Sequence, residues 1–271
     1  MEVLVCVKRV PTVGGTIMVT DDGQEVDTRA SGFTVSPHEE CAVEEAVQVT
    51  ERLGGSVTVL TLGPPDAADQ LRDMLALGAT RAVLLETDGR EWGPIATAAA
   101  IAEAAIAGAA GGGTGGGGTG GGPAGGGGYD LLLFGNEAAD TGDYQVGVRV
   151  AHLLALPCVT GVKKLEISAS GDGGRARREY RGTQEVFDFA LPAVITVKEG
   201  INLPRYPSLP GRLRARRAPI ERHQPQWQPD GLRKQRLRVP AAQGKQAQLL
   251  GTGTDAVPAL VALLDELGML P

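Results

Sequence analysis

Through the first 160 residues, apolar positions come in short unbroken runs separated by amphipathic stretches. The runs Val3–Val7, Val57–Leu62, Ala82–Glu86 and Asp130–Phe134 are nearly all apolar. A strand covered on one face alternates in polarity, whereas unbroken runs fit strands buried on both faces of a parallel sheet. Between them the spacing predicts helices over Glu39–Leu53, Ala67–Leu77, Pro94–Ala107 and Asp143–Leu156. In the first, Ala42, Val43, Ala46 and Val47 share one side, while Glu40, Glu44, Glu45 and Gln48 lie largely opposite. That is the 3.6-residue period of a helix with one packed face. Pro94 suits a first helical turn. Strand–helix alternation of this kind implies right-handed crossovers and an α/β fold with a doubly wound, mostly parallel sheet.

Two early segments break the pattern. Thr16–Val26 reads as two short strands around a DDG turn, a small β excursion before the first helix. Residues 108–128 are mostly glycine, a composition whose ordering costs too much entropy for folding alone, so a flexible surface insertion is expected. A phosphate cradle there would need a GxxxxGK[ST] arrangement after a strand, and the segment has no such arrangement and precedes one. After Pro157 the pattern changes to antiparallel candidates at Lys163–Ser168, Arg177–Arg181 and Glu185–Ala190, then a buried strand at Ala193–Val197. Leu203–Arg217, rich in Pro and Arg, reads as irregular, and a polar tail follows to about Lys245. Val257, Leu260, Val261, Leu264 and Leu267 keep helical spacing near the end, giving an amphipathic helix that needs a surface to pack on. The expected organisation is an α/β domain over 1–200, a short segment at 201–221, and an extended C-terminal arm with its helix over 222–271.

Composition narrows the class. With 42% hydrophobic residues and 4% aromatics, the core must be built from small aliphatic side chains. A net charge of −6 argues against a nucleic-acid partner, whose recognition rests on basic surface. No apolar run approaches the ~18 residues of a membrane span, and MEVLVCVKRV enters a strand without a signal-peptide h-region, so a cytoplasmic location is expected. Cys6, Cys41 and Cys158 are widely spaced in apolar sequence, as reduced core thiols are.

Five segments then occur in order: LVCVKRV at 4–10, SPHEECAVEEA at 36–46, GNEAADTGDYQVG at 135–147, LPAVITV at 191–197 and LPRYPSLPGRLRARRAPIE at 203–221. In sequence and spacing they resemble the β subunits of electron transfer flavoproteins, over roughly residues 1–221. The resemblance implies an adenine nucleotide α-hydrolase-like fold and an electron carrier rather than an enzyme acting alone. It also implies a heterodimer with an α subunit that holds most of the FAD, and a structural AMP in this subunit. Electrons would arrive from flavin-dependent dehydrogenases and leave toward a membrane-associated, quinone-linked oxidoreductase. Some branches of the family hold a second FAD in place of AMP, for electron bifurcation.

Carried over position by position, the resemblance assigns nucleotide contacts to Cys6, to Ser36, Pro37, His38 and Glu39, and to Leu62. It assigns the rest to Asp140, Thr141, Gly142, Asp143, Tyr144, Gln145, Val146, Gly147, Val148, Arg149, Val150 and Ala151. The physics agrees for the last segment, because a helix opened after a strand offers free N–H groups and a favourable dipole to a phosphate. Gly142 and Gly147 would permit close approach of backbone to ligand. Two departures stand out: Ser36-Pro37-His38 replaces the family's usual Asn-Pro-aromatic, and Tyr144 and Asp143 add bulk and charge to the loop. In the family, the segment around Leu209 with Arg212, Arg214, Arg216 and Arg217 recognises partner dehydrogenases. A nucleotide α-hydrolase enzyme would need an SGGxDS-type loop after the first strand, where this chain has KRVPTVGG. A stand-alone adenine-nucleotide module would leave the 203–221 segment and the arm unexplained.

Overall fold

The computed structural model describes residues 1–12, 17–29, 31–111, 128–229, 231, 234–240 and 249–270. In chain order the elements are β1 (Glu2–Cys6), β2 (Val10–Pro11), β3 (Phe33–Thr34), α1 (Pro37–Leu53), β4 (Ser56–Gly63), α2 (Ala68–Leu77), β5 (Arg81–Glu86) and α3 (Pro94–Gly111). There follow β6 (Leu131–Gly135), α4 (Val146–Leu153), β7 (Cys158–Val162), β8 (Lys164–Ile167), β9 (Gly173–Tyr180), β10 (Thr183–Ala190) and β11 (Ala193–Val197). The chain continues with α5 (Leu209–Arg217), β12 (Glu221–His223) and α6 (Val257–Glu266). Two compact units result, Met1–Leu237 and Arg238–Pro271. The second carries α6, none of whose residues is buried. Among the described residues no helix is long and apolar enough to cross a membrane.

The four expected strands form the middle of a seven-stranded sheet of order β12-β5-β4-β1-β6-β11-β7, in which every pairing is parallel. Because side chains alternate across a strand, β1 feeds two cores. Val3 and Val5 pack with α1 and α2, while Leu4 and Cys6 pack with α3 and α4. The unbroken apolar runs are explained by this double coverage. The chain leaves β1 toward β4 and β5, then returns to β6 on the other side of β1. The β1/β6 boundary is therefore the topological switch point, where ligands of open α/β sheets bind.

Strands β8, β9 and β10 form the expected antiparallel sheet, with β9 starting at Gly173, four residues before the expected Arg177. The early excursion is slighter than expected. Val19 and Val26 make one isolated bridge around the DDG turn, and Thr16 lies outside the described residues, as do 112–127 of the glycine-rich insertion.

Three expectations change. Leu203–Arg217 is not irregular throughout: residues 209–217 form α5, because the Ser208 hydroxyl caps the Gly211 N–H at 3.1 Å and Pro210 sits harmlessly in the first turn. Glu221–His223, read as polar tail, adds an edge strand beside β5, fastened by Arg81–Glu221 at 2.9 Å and Arg222–Glu86 at 2.5 Å. Helix α1, expected to have one packed face, is covered on its acidic side as well, since Glu44 and Glu45 are buried. Asn202 donates to Glu45 at 2.9 Å, and the Arg205 guanidinium bridges Glu44 at 2.9 Å and Glu51 at 2.7 Å.

Arg205 thus fastens the segment leading to α5 onto α1. Truncation by Arg205→Ala leaves Glu44 covered with Gln48 as its remaining side-chain donor. It should lower unfolding free energy by roughly 1–3 kcal/mol, the usual loss for a charge-assisted hydrogen bond to a covered group. Glu44→Gln in the Arg205→Ala background should recover part of that loss, read by urea denaturation of the three variants.

Candidate functional site

A cavity of about 880 Å³ opens at the carboxyl ends of β4, β1, β6 and β11, beside the β5–α3 connection. Cys6, Val7 and Lys8 supply its wall from β1, and Leu60 and Leu62 from β4. Phe134, Gly135 and Asn136 supply it from β6, and Trp92 and Thr97 from the β5–α3 connection and α3. Residues beyond β12, namely Trp227, Pro229, Gly231 and Lys234, complete the lining.

The floor is organised by the start of α1. Ser36 and Glu39 form a reciprocal capping box: the Glu39 N–H donates to Ser36 Oγ at 3.4 Å, and the Ser36 N–H donates to Glu39 Oε2 at 3.2 Å. Glu39 Oε1 also accepts the Lys8 N–H at 3.0 Å, which ties the chain leaving β1 to this helix end. The helix comes so close to β6 that a Cβ on Gly135 would stand 2.7 Å from Glu39 Cγ. Burial pushes the Glu39 carboxyl up to about 7 against the lowering effect of its donors, chiefly the Lys8 and Ser36 N–H groups. Burial and the nearby Glu39 carboxylate also push the Cys6 thiol up, so it is a neutral wall group and not a nucleophile.

The other rim is the segment between β6 and α4. Gly142, at φ +64°, takes the left-handed conformation a tight turn requires, and Ala138 pairs with Asp143 across it. Asp140 accepts the Lys8 ammonium at 2.7 Å across the mouth. Tyr144 donates its hydroxyl to Glu137, which holds the bulky ring on the rim, exposed. Helix α4 starts at Val146, three residues later than expected, with no side chain capping it. Gln145 instead accepts from Arg149 Nε at 2.9 Å. The Val146, Gly147 and Val148 N–H groups therefore have no partner within the helix.

The positions expected from the sequence divide into three groups. Cys6, Glu39, Leu62, Thr141, Asp143, Tyr144, Val146 and Gly147 line the cavity. Ser36, Pro37, His38, Asp140, Gly142, Gln145 and Arg149 support its rim, and His38 Nδ1 is buried without a partner among the described residues. Val150 and Ala151 are buried in the core and Val148 is exposed on the far side, so their side chains stand apart from the cavity. Gly147 has a packing reason as well: a Cβ there would meet Thr196 at 3.0 Å and Phe134 at 3.1 Å, so glycine lets α4 sit tight on the sheet. Outside the cavity, Leu209 is 72% exposed at the start of α5, and Arg212, Arg214, Arg216 and Arg217 are all exposed.

Sequence reasoning passed over Lys8, Trp92, Trp227 and Lys234. The available signal was the rarity of tryptophan, two in 271 residues, since both line this one cavity.

Fold and site define a doubly wound α/β protein with a large cavity at its switch point. The electron transfer flavoprotein domain model matches residues 25–226. The β subunit of the electron transfer flavoprotein of Bacillus subtilis is 35% identical over 203 residues, covering 75% of this chain and 69% of that protein. The same subunit from Mycobacterium bovis is 34% identical over 227 residues (81% and 77%), and that from Bradyrhizobium diazoefficiens 31% over 223 residues (81% and 80%). The chain belongs to the electron transfer flavoprotein β-subunit family.

Glu39 gives the site a pH signature. Its folded pKa of about 7 lies above the unfolded carboxyl value near ~4.3. The native state therefore holds the proton more tightly, and this contribution to stability is complete below about pH 4.3 and is lost as pH rises through 7. Urea denaturation between pH 5 and 8 should show wild-type stability falling relative to Glu39→Gln. Parallel pH profiles for the two proteins would refute this assignment.

Proposed function

We propose that this chain is the β half of a heterodimeric electron carrier, binding AMP in the switch-point cavity and supporting an FAD held mostly by an α subunit. On this reading it passes electrons from flavin-dependent dehydrogenases toward a membrane-associated, quinone-linked oxidoreductase, and it works in the cytoplasm. The observation that carries the nucleotide assignment is the uncapped start of α4 at the cavity rim. There, three backbone N–H groups and the positive end of the helix suit a phosphate. Glycine at 147 keeps this helix end against the sheet, and Lys8 lines the cavity where it pairs with Asp140 of the same loop.

Purification of the chain with its α subunit, followed by mass spectrometry of the released small molecules, should yield one AMP and one FAD per heterodimer. The chain alone should be colourless. Two FAD and no AMP would favour a bifurcating role, and a chain that binds FAD at full stoichiometry alone would overturn the division of labour.

We also assign dehydrogenase docking to the α5 segment. Leu209 projects from a helix held by its Ser208 cap and by the packing of Gly211, 3.1 Å from the Ala76 carbonyl when a Cβ is placed there. An exposed apolar side chain beside four exposed arginines has the makeup of a transient interface, with an anchor for contact and charges for encounter rate. Because Leu209 is largely exposed, Leu209→Ala should leave the melting temperature unchanged, unlike the ~2–5 kcal/mol loss of a core truncation. It should sharply slow reduction of the heterodimer by its donor. Replacing the four arginines should lower the association rate and flatten its salt dependence. Wild-type reduction rates in Leu209→Ala would remove the anchor.

A further inference from the structure

The Glu39 carboxyl and the start of α4 reach the end of β6 from opposite faces of the sheet. Glu39 Cγ lies 2.7 Å from where a Cβ on Gly135 would stand. Phe134 Cγ, one residue earlier, lies 3.1 Å from the same position on Gly147. Neighbouring residues of a strand point to opposite faces, so a single strand end separates the carboxyl from the free N–H groups of α4. Glu39 is 6% exposed, and it borders the cavity together with Val146 and Gly147. Charges placed this close in a covered site interact far more strongly than in water.

The groups around Glu39 leave a second anion unanswered. From β1 and its exit come the neutral Cys6 thiol and the Lys8 ammonium, which is already paired with Asp140 at 2.7 Å. From the helix start comes His38, whose Cβ stands 3.2 Å from the Gly135 position and whose Nδ1 has no partner among the described residues. Glu40, next along α1, is influenced by Asp73 of α2. The loop after β6 adds only further acids, Glu137, Asp140 and Asp143. The donors that do meet the Glu39 carboxylate, the Lys8 and Ser36 N–H groups and the Ser36 hydroxyl, are dipoles and not charges.

We propose that Glu39 makes anion binding in the cavity proton-linked: its carboxylate takes up a proton as a phosphate-bearing ligand settles at the start of α4. The inference deepens the nucleotide reading above and rests on it. The proton comes from solvent and forms the O–H of the carboxylic acid, and no other bond is made or broken. The sign follows from the charges. Burial already holds the free carboxyl at about 7, and a bound phosphate disfavours the carboxylate further, so the complex titrates higher still. Affinity is therefore greatest below about pH 7, falls as pH rises from the free to the bound value, and levels off above. Occupancy of the cavity becomes sensitive to pH around neutrality, through a group that never has to touch the ligand.

Titration calorimetry of the full-length chain with AMP, in buffers of different ionisation enthalpy, reads affinity and proton uptake together. The range runs from about pH 6.5 to about pH 9, above the second ionisation of a phosphate near ~6. Wild type should lose about tenfold in affinity across it, as follows if the ligand raises the carboxyl by about one pH unit, and should take up part of a proton on binding. Glu39→Gln should bind with nearly constant affinity and without that uptake. His38→Asn, which removes the neighbouring titratable ring, should keep both. Glu39→Asp retains a carboxyl and should retain a pH step, which keeps the link testable if Glu39→Gln fails to fold. Constant wild-type affinity, a fall that persists in Glu39→Gln, or one that His38→Asn abolishes would overturn the proton link while leaving the nucleotide site standing. A wild-type chain that binds no AMP at any pH would sink the nucleotide reading and this inference with it.

Discussion

The carboxylate of Glu39 joins three pieces of backbone that sheet pairing alone leaves separate: the exit of β1 at Lys8, the cap of α1 at Ser36, and the end of β6 at Gly135. These three define the switch point, so the shape of the cavity is set there. The carboxylate is buried, which favours its neutral form, yet each of its oxygens faces a donor, which favours its charged form. Glu44, one and a half turns along the same helix, is also buried but meets the Arg205 guanidinium. Burial raises its pKa, but the bonds from Arg205 and Gln48 outweigh burial and hold it below the usual carboxylate range. Two glutamates on one helix thus end on opposite sides of the ordinary value, because one is answered by backbone dipoles and the other by a full charge.

That contrast also marks what could be read from the sequence. Period-two burial on both faces wrote the four central strands into unbroken apolar runs, and these were recovered within a residue at each end. Helix α1 was equally legible in its apolar side. Its acidic side was not, because the partners of Glu44 and Glu45 lie some 160 residues away at Asn202 and Arg205, and no local pattern announces a long-range cover. Helix α5 was missed for a different reason. Three prolines within 204–210 read as breakers, although the last occupies a first turn where its missing N–H costs nothing. The strand β12 has only three exposed residues, Glu221 to His223, and takes its place from ion pairs to β5 rather than from any β-like pattern.

The candidate site was legible where it uses local chain geometry and opaque where distant segments close it. The loop at 140–147 could be placed on a helix start because strand, turn and helix follow one another in sequence. Trp227 and Lys234 face Glu91 from more than 130 residues away, and their contribution emerges only when the chain folds back beside β5. Even within the legible part, position did not disclose role. Gly147 reads as room for a ligand but serves first as room for Thr196 and Phe134, and Val150 and Ala151 belong to the core that carries the loop.

Charge placement at the rim bears on how an anion would be held. Lys8 already faces Asp140 at 2.7 Å, and Lys234 faces two glutamates, so both lysines among the described lining residues are paired within the protein itself. In a chain of net charge −6, long-range attraction of a phosphate is therefore weak. On the proposed reading, recognition would fall instead on fixed backbone N–H groups at the start of α4, which need no partner exchange and act at contact distance. Such a site gains little from fast electrostatic capture and much from slow release. A ligand held in this way would be kept by the fit of the cavity and by contact-range dipoles rather than by a strong field.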